Sequence, residues 1–112
     1  MLPIIRSLLG APGKGPEEIT TILAAGSRFR VERIDSHGVA SPVGLWYDQE
    51  DAEWVALLRG NATLEFSDGQ RSLQTGDCLL IAPHRKHRVA STSSDAVWLA
   101  VHFCADKLGP EC

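Results

Sequence analysis

Apolar and polar residues alternate along most of the chain after Arg28, a pattern typical of β-strands that bury one face. Short strands that recur about every eight to twelve residues, with turn residues between them, are typical of a β-sandwich or barrel. The clearest hairpin signal is the turn Ser67-Asp68-Gly69. The expected strands cover residues 29–34, 45–47, 53–58, 62–66, 72–73, 77–81, 87–90 and 96–103.

The N-terminal part follows a different pattern. Residues 1–15 are rich in Pro and Gly, which predicts an irregular arm, and several of them are apolar. Pro16, with two glutamates behind it, has the character of a helix start, and Gly26 that of a helix end, so a short helix is expected between them. The predicted divisions are 1–27 (arm and short helix), 28–104 (barrel) and 105–112 (C-terminal tail).

Composition narrows the functional classes. A chain of 112 residues with 44% hydrophobic and 22% charged residues forms one domain. The net charge is −3 and basic residues cluster only at residues 85–88, which disfavours a nucleic-acid partner. No apolar run approaches the roughly 20 residues of a membrane span, and no signal segment is evident, so a cytoplasmic location is expected. Cys78 lies in an apolar run and is expected to be buried.

One carboxylate stands out on an apolar strand face. Period-two alternation places Glu53 on the same face as Val55 and Leu57. A buried carboxylate among aliphatic side chains is costly unless a metal, a charged partner or the barrel mouth compensates for it. The same alternation places His102 on one face with Trp98, so this imidazole is a candidate partner.

The spacing of polar and glycine residues resembles that of the cupin superfamily, and the resemblance covers most of residues 28–104. Glu53 and Gly60 match the last two places of the first cupin motif, and Gly76 and His87 match the outer places of the second. The wider sequence is similar to small single-domain bacterial cupins without an established reaction. The resemblance implies an all-β cupin fold, a double-stranded β-helix that forms a jelly-roll-like barrel.

The His-x-His pair of the first cupin motif is absent. Its places fall on Trp46 and Asp48 if four residues precede Glu53, or on Tyr47 and Gln49 if three do. Cupins hold a divalent metal inside the barrel, so the resemblance implies Zn, Fe, Mn or Ni as a possible cofactor. The candidate metal ligands are Glu53, His87, Asp48 and His102, and the candidate ligand-binding residues are Tyr47, Gln49 and His37.

The sequence is compatible with two functional classes. The first is a metal-binding cupin that binds or acts on a small polar molecule, with dioxygenase, isomerase and lyase reactions all compatible with the fold. The alternative is a non-catalytic metabolite-binding or structural cupin without metal, which the missing His-x-His pair favours. A homodimer is expected in either case, because an apolar N-terminal arm would otherwise lie in solvent.

Overall fold

The computed structural model describes residues 1–11 and 15–104. Strands are the only long regular elements in this part of the chain, and no α-helix occurs in it. The all-β prediction is confirmed, and most barrel strands lie close to the positions that the alternation predicts. The strand predicted over residues 45–47 is wrong, since that segment forms only an isolated bridge between Tyr47 and His87. The strands are β1 (Ile19–Ala25), β2 (Phe29–Asp35), β3 (Ala52–Arg59), β4 (Asn61–Phe66), β5 (Gly69–Gln74), β6 (Cys78–Ile81), β7 (His87–Thr92) and β8 (Val97–Phe103).

The strands form two antiparallel sheets that face each other. The larger sheet has five strands in the order β1-β2-β8-β3-β6, and the smaller has three in the order β5-β4-β7. The predicted hairpin joins β4 to β5, with Phe66 paired to Gly69 across the turn. Gly69 has φ 145°, a conformation open to glycine, which explains why this turn ends in that residue.

The segment predicted to be a short helix is strand β1, and the helix prediction is wrong. Ile19–Ala25 pairs antiparallel with β2, from Ile19 opposite Asp35 to Ala25 opposite Arg30. Four β-branched residues in a row, Ile19 to Ile22, restrict χ1 in a helix and suit a pleated strand. The free edge of β2 supplies backbone partners that an isolated helix would not have, so sheet pairing decides the conformation.

The core lies between the inner faces of the two sheets. Leu57 and Ala100 of the larger sheet are fully buried, and Leu64 of the smaller sheet is 3% exposed. Trp98 closes one side of the core, and its indole Nε1 donates a hydrogen bond of 3.0 Å to the Ser36 hydroxyl. The remaining core residues include Val55, Ala62, Leu73, Ile81 and Ala96.

The N-terminal arm crosses the outer side of the larger sheet. The guanidinium groups of Arg33 and Arg59 donate hydrogen bonds of 2.9 Å to the carbonyls of Gly10 and Leu9. The first residues of the arm extend into solvent with their apolar side chains exposed. The predicted tail, residues 105–112, lies outside the described residues.

Two further sequence predictions concern the burial of Cys78 and the presence of a membrane span. Cys78 is exposed, so the prediction of a buried cysteine is wrong. Its side chain lies on the outer face of β6, at the edge of the larger sheet, whereas the inner face of that strand carries Leu79 and Ile81. Among the described residues, no helix is long and apolar enough to cross a bilayer.

Candidate ligand-binding cavity in the barrel

A cavity of about 200 Å³ lies inside the barrel between the two sheets. Its wall combines an apolar part with a set of ionisable and amide side chains, the composition expected of a small-molecule site. The apolar part consists of Ile34, Val55, Leu64, Ile81, Val89 and Trp98. The polar part consists of Glu18, Arg30, Glu32, Tyr47, Gln49, Glu53, His87 and His102.

Strand register on the larger sheet places three polar side chains of the cavity side by side. Arg30 of β2 is opposite His102 of β8, and His102 is opposite Glu53 of β3. Directly opposed residues of neighbouring antiparallel strands project to the same face, so the three side chains enter the barrel together. Glu53 is 9% exposed and His102 is 7% exposed.

His87 reaches the cavity from the smaller sheet. Its Nε2 lies 3.7 Å from Glu53 Oε1, so the imidazole and the carboxylate face each other across the barrel. His87 Nδ1 lies 2.9 Å from the carbonyl oxygen of Arg85. Because a carbonyl only accepts hydrogen bonds, Nδ1 carries a proton and Nε2 is left to face the cavity as an acceptor.

Gln49 lies between these two residues. The loop that carries it is held to the start of β7, because Tyr47 and His87 exchange two backbone hydrogen bonds and the His84 amide donates to the Gln49 carbonyl at 2.7 Å. The side-chain Nε2 of Gln49 is 2.9 Å from Glu53 Oε1 and 3.5 Å from His87 Nε2. The amide group therefore bridges the carboxylate and the imidazole.

A second polar chain lines the other side of the cavity. His102 Nε2 lies 3.2 Å from Glu32 Oε1 and 3.7 Å from Glu53 Oε2. Arg30 Nε donates to the other oxygen of Glu32 at 2.6 Å. His102 therefore contacts two buried carboxylates through one nitrogen, and Arg30 balances only one of those charges.

Glu18 adds a third carboxylate at the mouth of the cavity. It lies just before β1, is exposed to solvent and lines the cavity. Partial burial raises the pKa of Glu18, and the nearby charges of Glu32 and Glu53 raise it further. The raised pKa reflects the accumulation of negative charge in this part of the barrel.

The structure brings together five of the seven sequence-predicted site residues: Glu53, His87, His102, Tyr47 and Gln49. The other two, Asp48 and His37, do not line the cavity. The Asp48 carboxylate lies 2.7 Å from His84 Nδ1 on the outside of the loop, because neighbouring residues of an extended segment point in opposite directions. His37 has φ 51° and its Nδ1 donates to the Glu17 carbonyl at 2.6 Å, away from the cavity.

Sequence reasoning missed three polar residues of the cavity: Glu18, Arg30 and Glu32. Arg30 and Glu32 are two positions apart on β2 and share the face of the apolar Ile34, so alternation carries a signal for them. No local signal exists for Glu18, since its place depends on the pairing of β1 with β2. A helix in this segment would place Glu18 in a solvated first turn.

The donor set fits a divalent metal only in part. Glu53 Oε1 lies 3.7 Å from His87 Nε2, and Glu53 Oε2 lies 3.7 Å from His102 Nε2. Each distance is compatible with a carboxylate and an imidazole that bind the same ion. Among the described residues, however, no three His, Cys, Asp or Glu side chains are grouped closely enough to hold a metal ion. The space between Glu53 and His87 holds the Gln49 amide, which donates hydrogen bonds and carries no charge for a cation.

The fold and cavity define a small double-sheet β-barrel with a polar interior site. The sequence profile of the cupin domain matches residues 30–102. The chain belongs to the cupin family, which confirms the resemblance found in the sequence. No curated protein matches the chain in sequence.

Solved structures of similar proteins support the same fold. A Ralstonia eutropha JMP134 protein, described as a candidate mannose-6-phosphate isomerase, is 39% identical, with 92% of this chain and 100% of that chain covered and a TM-score of 0.87. A cupin superfamily protein from Desulfitobacterium hafniense is 18% identical, with coverages of 93% and 95% and a TM-score of 0.76. A Streptococcus pyogenes protein of unknown function is 11% identical, with coverages of 95% and 91% and a TM-score of 0.75.

Proposed function

We propose that this cupin binds a small polar molecule in the barrel through a hydrogen-bonding set formed by Glu53, Gln49 and His87, without a metal ion. The observation that carries the proposal is the position of Gln49 Nε2, 2.9 Å from the carboxylate and 3.5 Å from the imidazole. The Gln49 amide lies between Glu53 and His87, the two residues that match the cupin motifs. Its two N–H groups match the two acceptors, so the set is stable without a cation.

A divalent metal is the second candidate, and the charge of the cavity favours it. Glu53 and His87 would hold the ion after Gln49 turns away, with His102 as a further nitrogen ligand. The hydrogen bond from His87 Nδ1 to the Arg85 carbonyl orients the ring as a protein orients a metal-binding histidine. Zn, Fe, Mn or Ni bound there would supply Lewis-acid or oxygen chemistry.

The experiment that separates the two candidates is elemental analysis of protein purified without an affinity tag, before and after incubation with each metal. We expect no stoichiometric metal in the wild type. One metal ion per chain, absent from Glu53→Gln and His87→Ala, would establish the second candidate instead. Matched controls are Glu65→Gln, whose carboxylate pairs with Arg88 outside the cavity, and His84→Ala, whose ring is exposed.

Binding itself is measured by NMR on the same protein. Small polar compounds that enter the cavity shift the side-chain amide resonances of Gln49, and the effect is lost in Glu53→Gln. Compounds that shift only surface resonances would contradict the proposal. The controls Glu65→Gln and His84→Ala keep the response of the wild type.

The name of the Ralstonia protein indicates a sugar phosphate, and an isomerase reaction, as the substrate and reaction of that relative. We do not propose a phosphate-bearing ligand for this chain. Phosphate recognition uses cationic groups free to donate two or more hydrogen bonds. Arg30 is the only arginine of the cavity wall among the described residues, and the carboxylates of Glu18, Glu32 and Glu53 line the same cavity, so their charge opposes a phosphate group there.

We also propose that the protein is a homodimer that pairs through the outer face of the larger sheet. Leu80, Trp54, Val101 and Val31 stand opposite one another on four adjacent strands and form one apolar row. Leu80 is 60% exposed, and the apolar arm residue Ile5 is 96% exposed. Association of two copies would remove this apolar surface from water.

Light scattering coupled to size-exclusion chromatography tests the dimer. We expect the mass of two chains for the wild type and of one chain for Val101→Glu, since a charge in the apolar row opposes its burial. Val43→Glu is the matched control, because Val43 is 99% exposed in a loop away from the sheets. A monomeric wild type would contradict the proposal. The absence of nucleic-acid and membrane partners, the cytoplasmic location and the domain boundaries stay predictions of the sequence.

A further inference from the structure

Among the described residues, carboxylates outnumber guanidinium groups in the wall of the barrel cavity. Three carboxylates line it, from Glu18, Glu32 and Glu53, against one guanidinium, from Arg30. The imidazoles of His87 and His102 also line the cavity.

The guanidinium and one imidazole of the cavity wall already have a carboxylate partner. Arg30 contacts Glu32 at 2.6 Å, and His102 contacts the same carboxylate at 3.2 Å. Glu18 makes no hydrogen bond or ion pair with any other described residue, and its pKa is raised, first by burial and then by Glu32 and Glu53. An unpaired carboxylate that faces two others is stabilised by a cation placed among them.

The backbone holds Glu18 at the mouth of the cavity. His37 Nδ1 donates to the carbonyl of the preceding residue, Glu17, at 2.6 Å, and the following residue, Ile19, pairs with Asp35 of β2. The chain is therefore fixed on both sides of Glu18. The Glu18 carboxylate is therefore held at the cavity wall.

The rest of the cavity wall is apolar, which restricts the kind of cation. Six aliphatic or aromatic side chains form this wall, and the phenol ring of Tyr47 lies at the entrance. A ring face attracts an organic cation, and an apolar wall favours an apolar body behind the charge. The volume of about 200 Å³ suits a molecule of the size of a substituted benzene ring.

We infer that the ligand of this cavity is a small organic ammonium ion with an apolar body, and that its charge lies among Glu18, Glu32 and Glu53. The inference rests on the proposed function, since it names the class of molecule that the metal-free site takes. The same three carboxylates disfavour anionic molecules. Glu18, which no motif identifies, becomes a ligand-binding residue.

Three probes of equal shape and different charge test the inference: benzylamine, benzyl alcohol and benzoate. Their affinities are measured by isothermal titration calorimetry on protein dialysed against a chelator, so that no metal contributes. We expect benzylamine to bind most tightly and benzoate most weakly. Glu18→Gln should weaken benzylamine binding roughly three- to tenfold at low salt and leave benzyl alcohol unchanged, because a partly solvated charge pair is worth that much.

Glu17→Gln is the matched control, since it removes the same charge from the neighbouring residue, which does not line the cavity. An equal loss of benzylamine affinity in Glu17→Gln and Glu18→Gln would overturn the inference. Tighter binding of benzyl alcohol or benzoate than of benzylamine would overturn it too, while leaving the proposed small-molecule site intact. Failure of all three probes to bind overturns the inference, and the NMR screen then decides separately whether the cavity binds any small molecule.

Discussion

Replacing Tyr47 and Gln49 together with histidine is expected to give the cavity about one tightly bound Zn²⁺ or Ni²⁺ per chain, where we expect none in the wild type. The two new imidazoles would complete a His-x-His pair with three residues between it and Glu53. Both side chains already line the cavity, and Gln49 already lies within hydrogen-bond distance of Glu53. The measurement is elemental analysis after dialysis against metal-free buffer.

The matched control for this variant places the same two histidines in the other register. Trp46→His with Asp48→His matches the motif with a four-residue gap, and the sequence does not distinguish the two. In the structure Asp48 points outward to His84, so this variant is expected to stay free of metal. A folded Tyr47→His/Gln49→His variant without metal, or equal metal in both variants, would show that Gln49 does not occupy a ligand position.

The barrel strands are predictable from the sequence because one physical rule governs them. Each strand of a two-sheet barrel buries alternate residues, so the alternation within residues 53–57 and 98–102 is enough to predict which side chains face inward. Strand β1 lacks this signal, since only Ile19 and Leu23 of its seven residues are even half-buried. Its conformation depends on pairing with β2, which no local pattern reveals.

The residues of the candidate site also differ in whether a local sequence signal predicts them. Glu53 and His87 follow from motif spacing, and His102 follows from alternation, because each of these signals is local. The register of Tyr47 and Gln49 does not follow, since it depends on backbone hydrogen bonds between the loop and β7. Glu18 also depends on a long-range contact, and its predicted helix would have placed it in solvent.

Replacing Gly60 with alanine is expected to cost about 2 to 5 kcal/mol of unfolding free energy, the largest stability loss predicted here for a single methyl group. Gly60 has φ 82°, which an L side chain adopts at a cost of about 1 to 2 kcal/mol. An added Cβ would also overlap the Ser93 hydroxyl and lie 2.8 Å from Asp95 Oδ1 and 3.0 Å from the Ala96 backbone.

Gly76→Ala separates the two causes of this loss. Gly76 is the other motif glycine and has φ 93°, but a Cβ there would have no neighbour within 4 Å. Its variant should therefore lose only the backbone cost, about 1 to 2 kcal/mol, in urea unfolding followed by circular dichroism. The difference in unfolding free energy between the two variants measures the cost of the close approach of the Gly60 turn to residues 93–96. This packing constraint is a reason for glycine at position 60 that the motif alone does not reveal. Equal losses in the two variants would mean that backbone conformation alone explains the glycine at position 60.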